Sequence, residues 1–176
     1  TESHPEISLL IDEVEDEPLR QGFRHGSYDL VIGRPELLTG IQSTCHLLAR
    51  DRLVLLTPTD HPLAGRAAVP LEELSGESFI LMHPDSSIHR LCLTACQKKG
   101  FQPAVTRTAK IESIVSAVAA GEAVSLLPYS NLDVFRHENV VVIPLQEPVA
   151  ANVVLACLSP KKLSRCSRTL WKYLST

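Results

Sequence analysis

The chain has 176 residues, 44% of them hydrophobic and 21% charged, and 17 basic against 20 acidic residues leave a net charge of −3. That length suits one domain or two small lobes with a real core, and the hydrophobic content is too high for a disordered chain. The slightly acidic balance argues against nucleic-acid binding by this stretch itself, and no apolar run approaches the ~20 residues of a membrane-spanning helix.

The first six residues, Thr-Glu-Ser-His-Pro-Glu, offer neither a basic nor an apolar segment of a signal peptide. With no initiator Met, the chain reads as a fragment or a processed product. Residues 7–11 form a short β-rich apolar run. Asp16-Glu-Pro18 then reads as a helix start with Asp16 at the N-cap, and Gly26 suits its end. Residues 28–32 read as a buried strand closed by Gly33-Arg34-Pro35, so 7–33 predicts a βαβ unit with parallel strands.

Strands are expected at 41–49 and 52–57, a turn cluster at 58–62, a helical turn at 70–74 and a strand at 79–82. In the next helix Ile88, Leu91, Cys92, Ala95 and Cys96 form one apolar stripe, ended by Gly100. A strand at 104–108 precedes a second such helix, with Ile111, Ile114, Val115, Val118 and Ala119 on one face and Gly121 as its stop. Strands follow at 123–127, 140–143 and 152–158. A last helix is expected at about 163–174, with Cys166, Leu170 and Leu174 inward. Alternating strands and helices define an α/β class.

The charge is segregated. Residues 1–19 hold seven acids and no Lys or Arg, whereas residues 159–176 hold five bases and no acid. These are either two solvated faces or complementary surfaces. The five cysteines show no C-x-x-C and read as reduced thiols, mostly buried. The seven histidines show no metal-ligand spacing. No dinucleotide fingerprint, phosphate loop, zinc motif or nucleophile elbow occurs, so no metal, cofactor or catalytic residue is expected.

What remains is a small-molecule site, because ligands of open α/β sheets sit beyond the carboxyl ends of parallel strands. Asp16, Ser86 and Ser87, and Lys110, Glu112 and Ser113 follow such ends, and Gly33-Arg34 brings a guanidinium to another. Amides at the start of the 88–99 helix could hold an anion. The alternatives are that Asp16 and Ser86 or Ser87 are only helix caps and that Arg34 is only a surface ion pair.

Three segments carry a family resemblance. His25-Gly-Ser-Tyr-Asp-Leu-Val-Ile-Gly33 is similar to the "x-G-x-L-D-L-A-I" segment of LysR-type transcriptional regulators. Residues 53–64, ending Asp60-His-Pro-Leu-Ala64, with Val69-Pro-Leu-Glu-Glu-Leu74 and the strand after it, resemble the same family. So do Lys99-Gly-Phe-Gln-Pro103 and Val118-Ala-Ala-Gly-Glu-Ala-Val-Ser-Leu-Leu-Pro128. The resemblance spans essentially the whole chain.

It implies an effector-binding domain with the type 2 periplasmic-binding-protein fold, two α/β lobes with mixed, mostly parallel sheets and flanking helices. Lobe I would be residues 1–51 and 147–176, and lobe II residues 52–146. The family's N-terminal winged helix-turn-helix and the first strand and helix of lobe I are expected to lie outside this chain. Carried over by position, the effector site would comprise Asp16, Gly33, Arg34, Ser86, Ser87, Ile88, Ile111, Glu112 and Pro128. Asp16 opposite Arg34 suits a zwitterion or amine-bearing acid. Ser87 occupies the slot of the reactive cysteine in the peroxide-sensing branch, so sensing by that route is not expected. The implied whole is a cytoplasmic regulator, a dimer through these lobes and a tetramer at full length. It would touch DNA only through the absent domain and would have no membrane association. A periplasmic solute-binding protein is the rival reading, and a Cys- or His-dependent hydrolase a more distant one.

Overall fold

Local rules place most of the elements. In the computed structural model, which describes Pro5 and residues 7–175, four helices alternate irregularly with eight strands. In chain order these are α1 (Asp16–Arg24), β1 (Val31–Gly33), β2 (Thr44–Ala49), β3 (Leu53–Pro58), β4 (Ser78–Leu81) and α2 (Ser87–Lys98). Then follow β5 (Ala104–Thr108), α3 (Ile111–Ala119), β6 (Ser125–Pro128), β7 (Val140–Pro144), β8 (Val153–Cys157) and α4 (Arg165–Leu174). The three glycines read as helix stops, Gly26, Gly100 and Gly121, all take positive φ (76°, 84° and 76°), the left-handed geometry that closes a helix.

The chain divides into two compact units, one ending at Ala49 and resuming at Val153, the other running from Arg50 to Asn152. In the second unit β4 and β5 pair in parallel, and a bridge from Phe79 to Val124 joins β6 to β4 in the same sense. β3 pairs antiparallel with both β6 and β7. Among the named strands, parallel pairing links those that alternate with helices, as a crossover connection requires, and one further parallel bridge joins Val69 to Leu145.

Strand alternation splits this unit's core between two sheet faces. Leu53, Leu55, Phe79 and Leu81 pack with Ile88, Leu91, Cys92, Ala95 and Cys96 of α2. Val54, Leu56 and Ile80 pack with Ile114, Val115 and Val118 of α3. The first predicted stripe is buried throughout, the second at Ile114, Val115 and Val118 with Ile111 and Ala119 half-buried at its ends, and each large side chain such as Phe79 contributes roughly 2–3 kcal/mol.

The first unit is a three-stranded sheet in the order β1-β8-β2, antiparallel throughout. Its core comprises Phe23, Val31, Leu37, Leu38, Val154 and Ala156. The parallel βαβ expected over 7–33 does not form. Residues 7–11 take no regular structure, and Leu10 and Ile11 are 91% and 82% exposed. An apolar run becomes a strand only where a neighbour completes its ladder, and among the described residues none does.

Two smaller expectations also change. Asp16 is the first helical residue rather than the cap, which is Glu15 without a side-chain hydrogen bond. Cys166 is exposed, because α4 buries none of its residues fully. Of the acidic stretch, Glu2 and Glu6 lie outside the described residues, as does His4.

Candidate functional site

The parallel direction of β4, β5 and β6 brings their carboxyl ends to one edge of the second unit's sheet. Six predicted residues therefore share that edge: Ser86, Ser87 and Ile88 at the start of α2, Ile111 and Glu112 at the start of α3, and Pro128 at the end of β6.

Their roles differ. Ser86 is the N-cap of α2, and its Oγ accepts the His89 amide at 3.0 Å. Ser87 is buried beside it. The Ile88 and Ile111 side chains pack into the two cores, so what each offers the edge is backbone. The N-cap of α3, Lys110, makes no side-chain capping hydrogen bond. Two helix N-termini, one only partly satisfied and one uncapped, thus present amide donors and the positive ends of their dipoles. Glu112, exposed in the first turn of α3, sets a negative charge at the rim. This edge can bind a carboxylate or phosphate at α2 and a donor group near Glu112.

One buried histidine adds to it. His89 Nδ1 lies 2.8 Å from the Met82 carbonyl oxygen, which can only accept, so Nδ1 carries the proton. Neutral His89 is therefore left with Nε2 as an acceptor. Sequence analysis gave His89 no role, and among the described residues no group of three or more His, Cys, Asp or Glu is placed to hold a metal ion.

In the first unit, Asp16 opens α1 while Gly33 and Arg34 end β1. A residue missed in the sequence ties these places together. Arg20, one turn after Asp16, donates from Nη1 to the Leu37 carbonyl at 2.5 Å and from Nη2 to that of Thr39 at 2.6 Å. It thereby anchors α1 to the turn at Pro35–Leu38 that directly follows Arg34. The two acceptors lie 17 and 19 residues further along the chain, so no local spacing signalled this role. At Gly33 a Cβ would come within 2.9 Å of the Leu37 Cδ2, so its small size also serves packing.

Two of the motif segments prove architectural. His61 Nδ1 accepts the Leu63 amide at 3.2 Å, which leaves Nε2–H to face Glu77 at 3.4 Å. The Asp-His-Pro-Leu-Ala turn is thus held by its histidine. Ser125, fully buried, donates to the Ile80 carbonyl at 2.7 Å and fixes β6 against β4. A groove of about 340 Å³ within this unit, lined by Tyr129, Leu132, Phe135, Arg136, Val140 and Val142 among others, contains none of the predicted residues.

The thiols are quiet in the interior. Cys92 Sγ donates to the Leu126 carbonyl at 3.6 Å. Burial pushes the Cys96 thiol up to about 11, well above its ordinary 9.0. Cys45 and Cys166 are exposed.

Comparison with known proteins bears on this arrangement. A family model described as LysR substrate binding domain matches residues 1–176. The transcriptional dual regulator GltC of Bacillus subtilis is 27% identical over 161 residues, 91% of this chain and 53% of that protein. This chain thus spans about half the length of the curated relatives it matches. The effector binding domain of QuiR in complex with shikimate superposes with a TM-score of 0.81 at 21% identity, covering 99% of this chain and 83% of that one. The Synechocystis PCC6803 CcmR regulatory domain in complex with 2-PG gives 0.84 at 24% identity, with coverages of 99% and 85%.

Proposed function

This chain belongs to the LysR substrate-binding-domain family, an effector-sensing regulatory domain of the type 2 periplasmic-binding-protein fold, and we propose that it senses an organic acid or amino-acid-like molecule for a bacterial transcription regulator. The observation that carries the proposal is the meeting of the α2 start, the α3 start and Pro128 on one sheet edge. The effector's anion is taken at Ser86, Ser87 and the Ile88 amide. Asp16, Gly33 and Arg34 of the first unit supply its remaining partners, with Arg34 for an acid group and Asp16 for an amine. In this reading Ile111 and Glu112 bound the site and Pro128 closes it.

The mechanism is a population shift. An effector that binds one arrangement of the two units more tightly raises its share, and the attached DNA-binding parts follow. No residue here catalyses a reaction. The full regulator is a cytoplasmic homodimer through these lobes and a tetramer at full length, and it meets DNA through a separate N-terminal domain. No helix among the described residues is long and apolar enough to cross a membrane. The relatives described above are regulators, and nothing in them supports the transport reading.

Calorimetry with a panel of small carboxylates and amino acids tests this, beginning with shikimate and 2-PG, with which the QuiR and CcmR domains were solved. A binder is expected to lose at least tenfold in affinity on Ser87→Ala or Arg34→Ala, on the order of one charge-assisted hydrogen bond. Unchanged affinity in both variants would sink the assignment.

A further inference from the structure

The backbone crosses between the two units twice, at Ala49–Arg50 and at Asn152–Val153. Beside both crossings stands one carboxylate, Asp51. Its amide donates to Asn152 Oδ1 at 3.2 Å, and its carbonyl accepts the Ala151 amide at 2.8 Å. Arg52 bridges Ala150, and the Leu53 amide donates to the Val149 carbonyl at 2.9 Å. The outgoing and returning segments are thus bonded to each other.

The Asp51 side chain then fastens this pair to the effector edge. Its Oδ2 accepts the Ser130 hydroxyl at 2.6 Å, and its Oδ1 accepts the Ser130 amide at 3.3 Å and the Arg52 amide at 2.8 Å. The Tyr129 amide donates to the Arg52 carbonyl at 2.9 Å, and the Arg52 guanidinium lies 5.5 Å from the centre of the Tyr129 ring. Tyr129 and Ser130 directly follow Pro128. On the first unit's side the β2–β8 ladder ends with Ala49 paired to Val153, one step beyond a register shift between Leu47 and Ala49.

We infer that Asp51 is the positioning residue of the switch. Through Ser130 it couples the turn after β6 to both crossing segments, holds them as part of the second unit, and moves the pivot outward to Ala49–Arg50 and Asn152–Val153. The reason is mechanical: rotation concentrates where the backbone is least tied. Asp51, Arg52 and Ala151 are tied to the second unit, and the β2–β8 ladder stops at Ala49 and Val153. A charge-assisted O–H···O contact as short as that from Ser130 is the strongest link in the chain of bonds. The inference rests on the effector reading above, but its test uses no effector, so the two can fail separately.

The test uses the full chain with Ser130→Ala, and Ser130→Thr as the variant that keeps the hydroxyl. Hydrogen exchange is read at the Arg52 and Ala151 amides and, as reference, at Leu55 and Leu126 inside β3 and β6. Ser130→Ala is expected to speed exchange at the first two about tenfold, the order of one lost hydrogen bond to a charged group. The reference amides keep their rates, and Ser130→Thr restores the crossings. A dye on Cys45 and another on a cysteine introduced at exposed Thr59, with Cys166→Ser, give the spread of distances between the units. That spread is expected to widen in Ser130→Ala alone. Unchanged exchange and spread would overturn the inference. So would faster exchange of equal size throughout β3 and β6, which would make Asp51 a support of the fold only.

Discussion

Substitution of Ser86 separates two jobs that meet at the start of α2. Its Oγ accepts the His89 amide at 3.0 Å, the geometry of an N-cap. Ser86→Ala removes that acceptor and costs about 1 kcal/mol. For a chain of this size the melting temperature falls by roughly 2–4 °C. Ser86→Asp keeps an oxygen in the capping position and adds negative charge at the positive end of the helix dipole, so its stability equals or exceeds that of the parent. Affinity for an anionic effector ranks the two variants the other way round, both below the parent. Alanine leaves the Ile88 amide open and costs less than about tenfold. Aspartate sets a like charge roughly 4 Å from the bound anion, worth about 4 kcal/mol at an effective dielectric near 20, so the loss exceeds tenfold even after screening. Thermal melts of the three proteins, and calorimetry with whichever acid binds the parent, read both quantities. If the Asp protein melts with the Ala protein, Ser86 is no cap. If the Asp protein binds like the parent, the anion does not sit at α2.

Further outcomes follow from the same geometry. Burial raises the Cys96 thiol from 9.0 to about 11, so the folded chain keeps that proton longer than the unfolded one. The resulting stability is complete below pH 9 and declines as pH rises from 9 to 11, by an amount on the order of 2 kcal/mol. Chemical denaturation should show a flatter profile over that window for Cys96→Ala, and an equal slope in both proteins would refute the reasoning. A maleimide at neutral pH is expected to modify Cys45 and Cys166 rapidly and to spare Cys92, Cys96 and Cys157 in the folded chain, as read by mass spectrometry. Labelling of all five at one rate counts against it. At Gly22, in the last turn of α1, a Cβ would lie 2.5 Å from the Tyr28 Cε2. Gly22→Ala should therefore destabilise the parent despite a helix-propensity gain of roughly 1 kcal/mol, and should stabilise a Tyr28→Ala background by about that much. His61→Asn, which keeps an acceptor for the Leu63 amide, is expected to be less destabilising in urea than His61→Ala.

The sequence alone carried far into the fold wherever the governing rule acts within a few residues. Ile88, Leu91, Cys92, Ala95 and Cys96 are all buried, as their spacing along one helix face requires. Gly26, Gly100 and Gly121 close their helices because only a residue without a Cβ takes positive φ at little cost. The family motifs belong to the same category: the Asp-His-Pro-Leu-Ala turn is closed by a bond from Leu63 to His61, two residues away.

Where a partner lies far along the chain, only the tertiary structure decided. Residues 7–11 have the composition of a strand and no ladder, and the α4 stripe that should have buried Cys166 has too little packed against it to do so. β1 finds its partner in β8, pairing Val31 with Ala156, and Asp51 finds Ser130 across 79 residues. The same separation governs the site. The strand ends nominated Ser86 and Glu112 one by one, and the family resemblance added Ile111 and Pro128 by position. Their place on one edge follows from β4, β5 and β6 running the same way, a choice made when the sheet closes and not within any local segment.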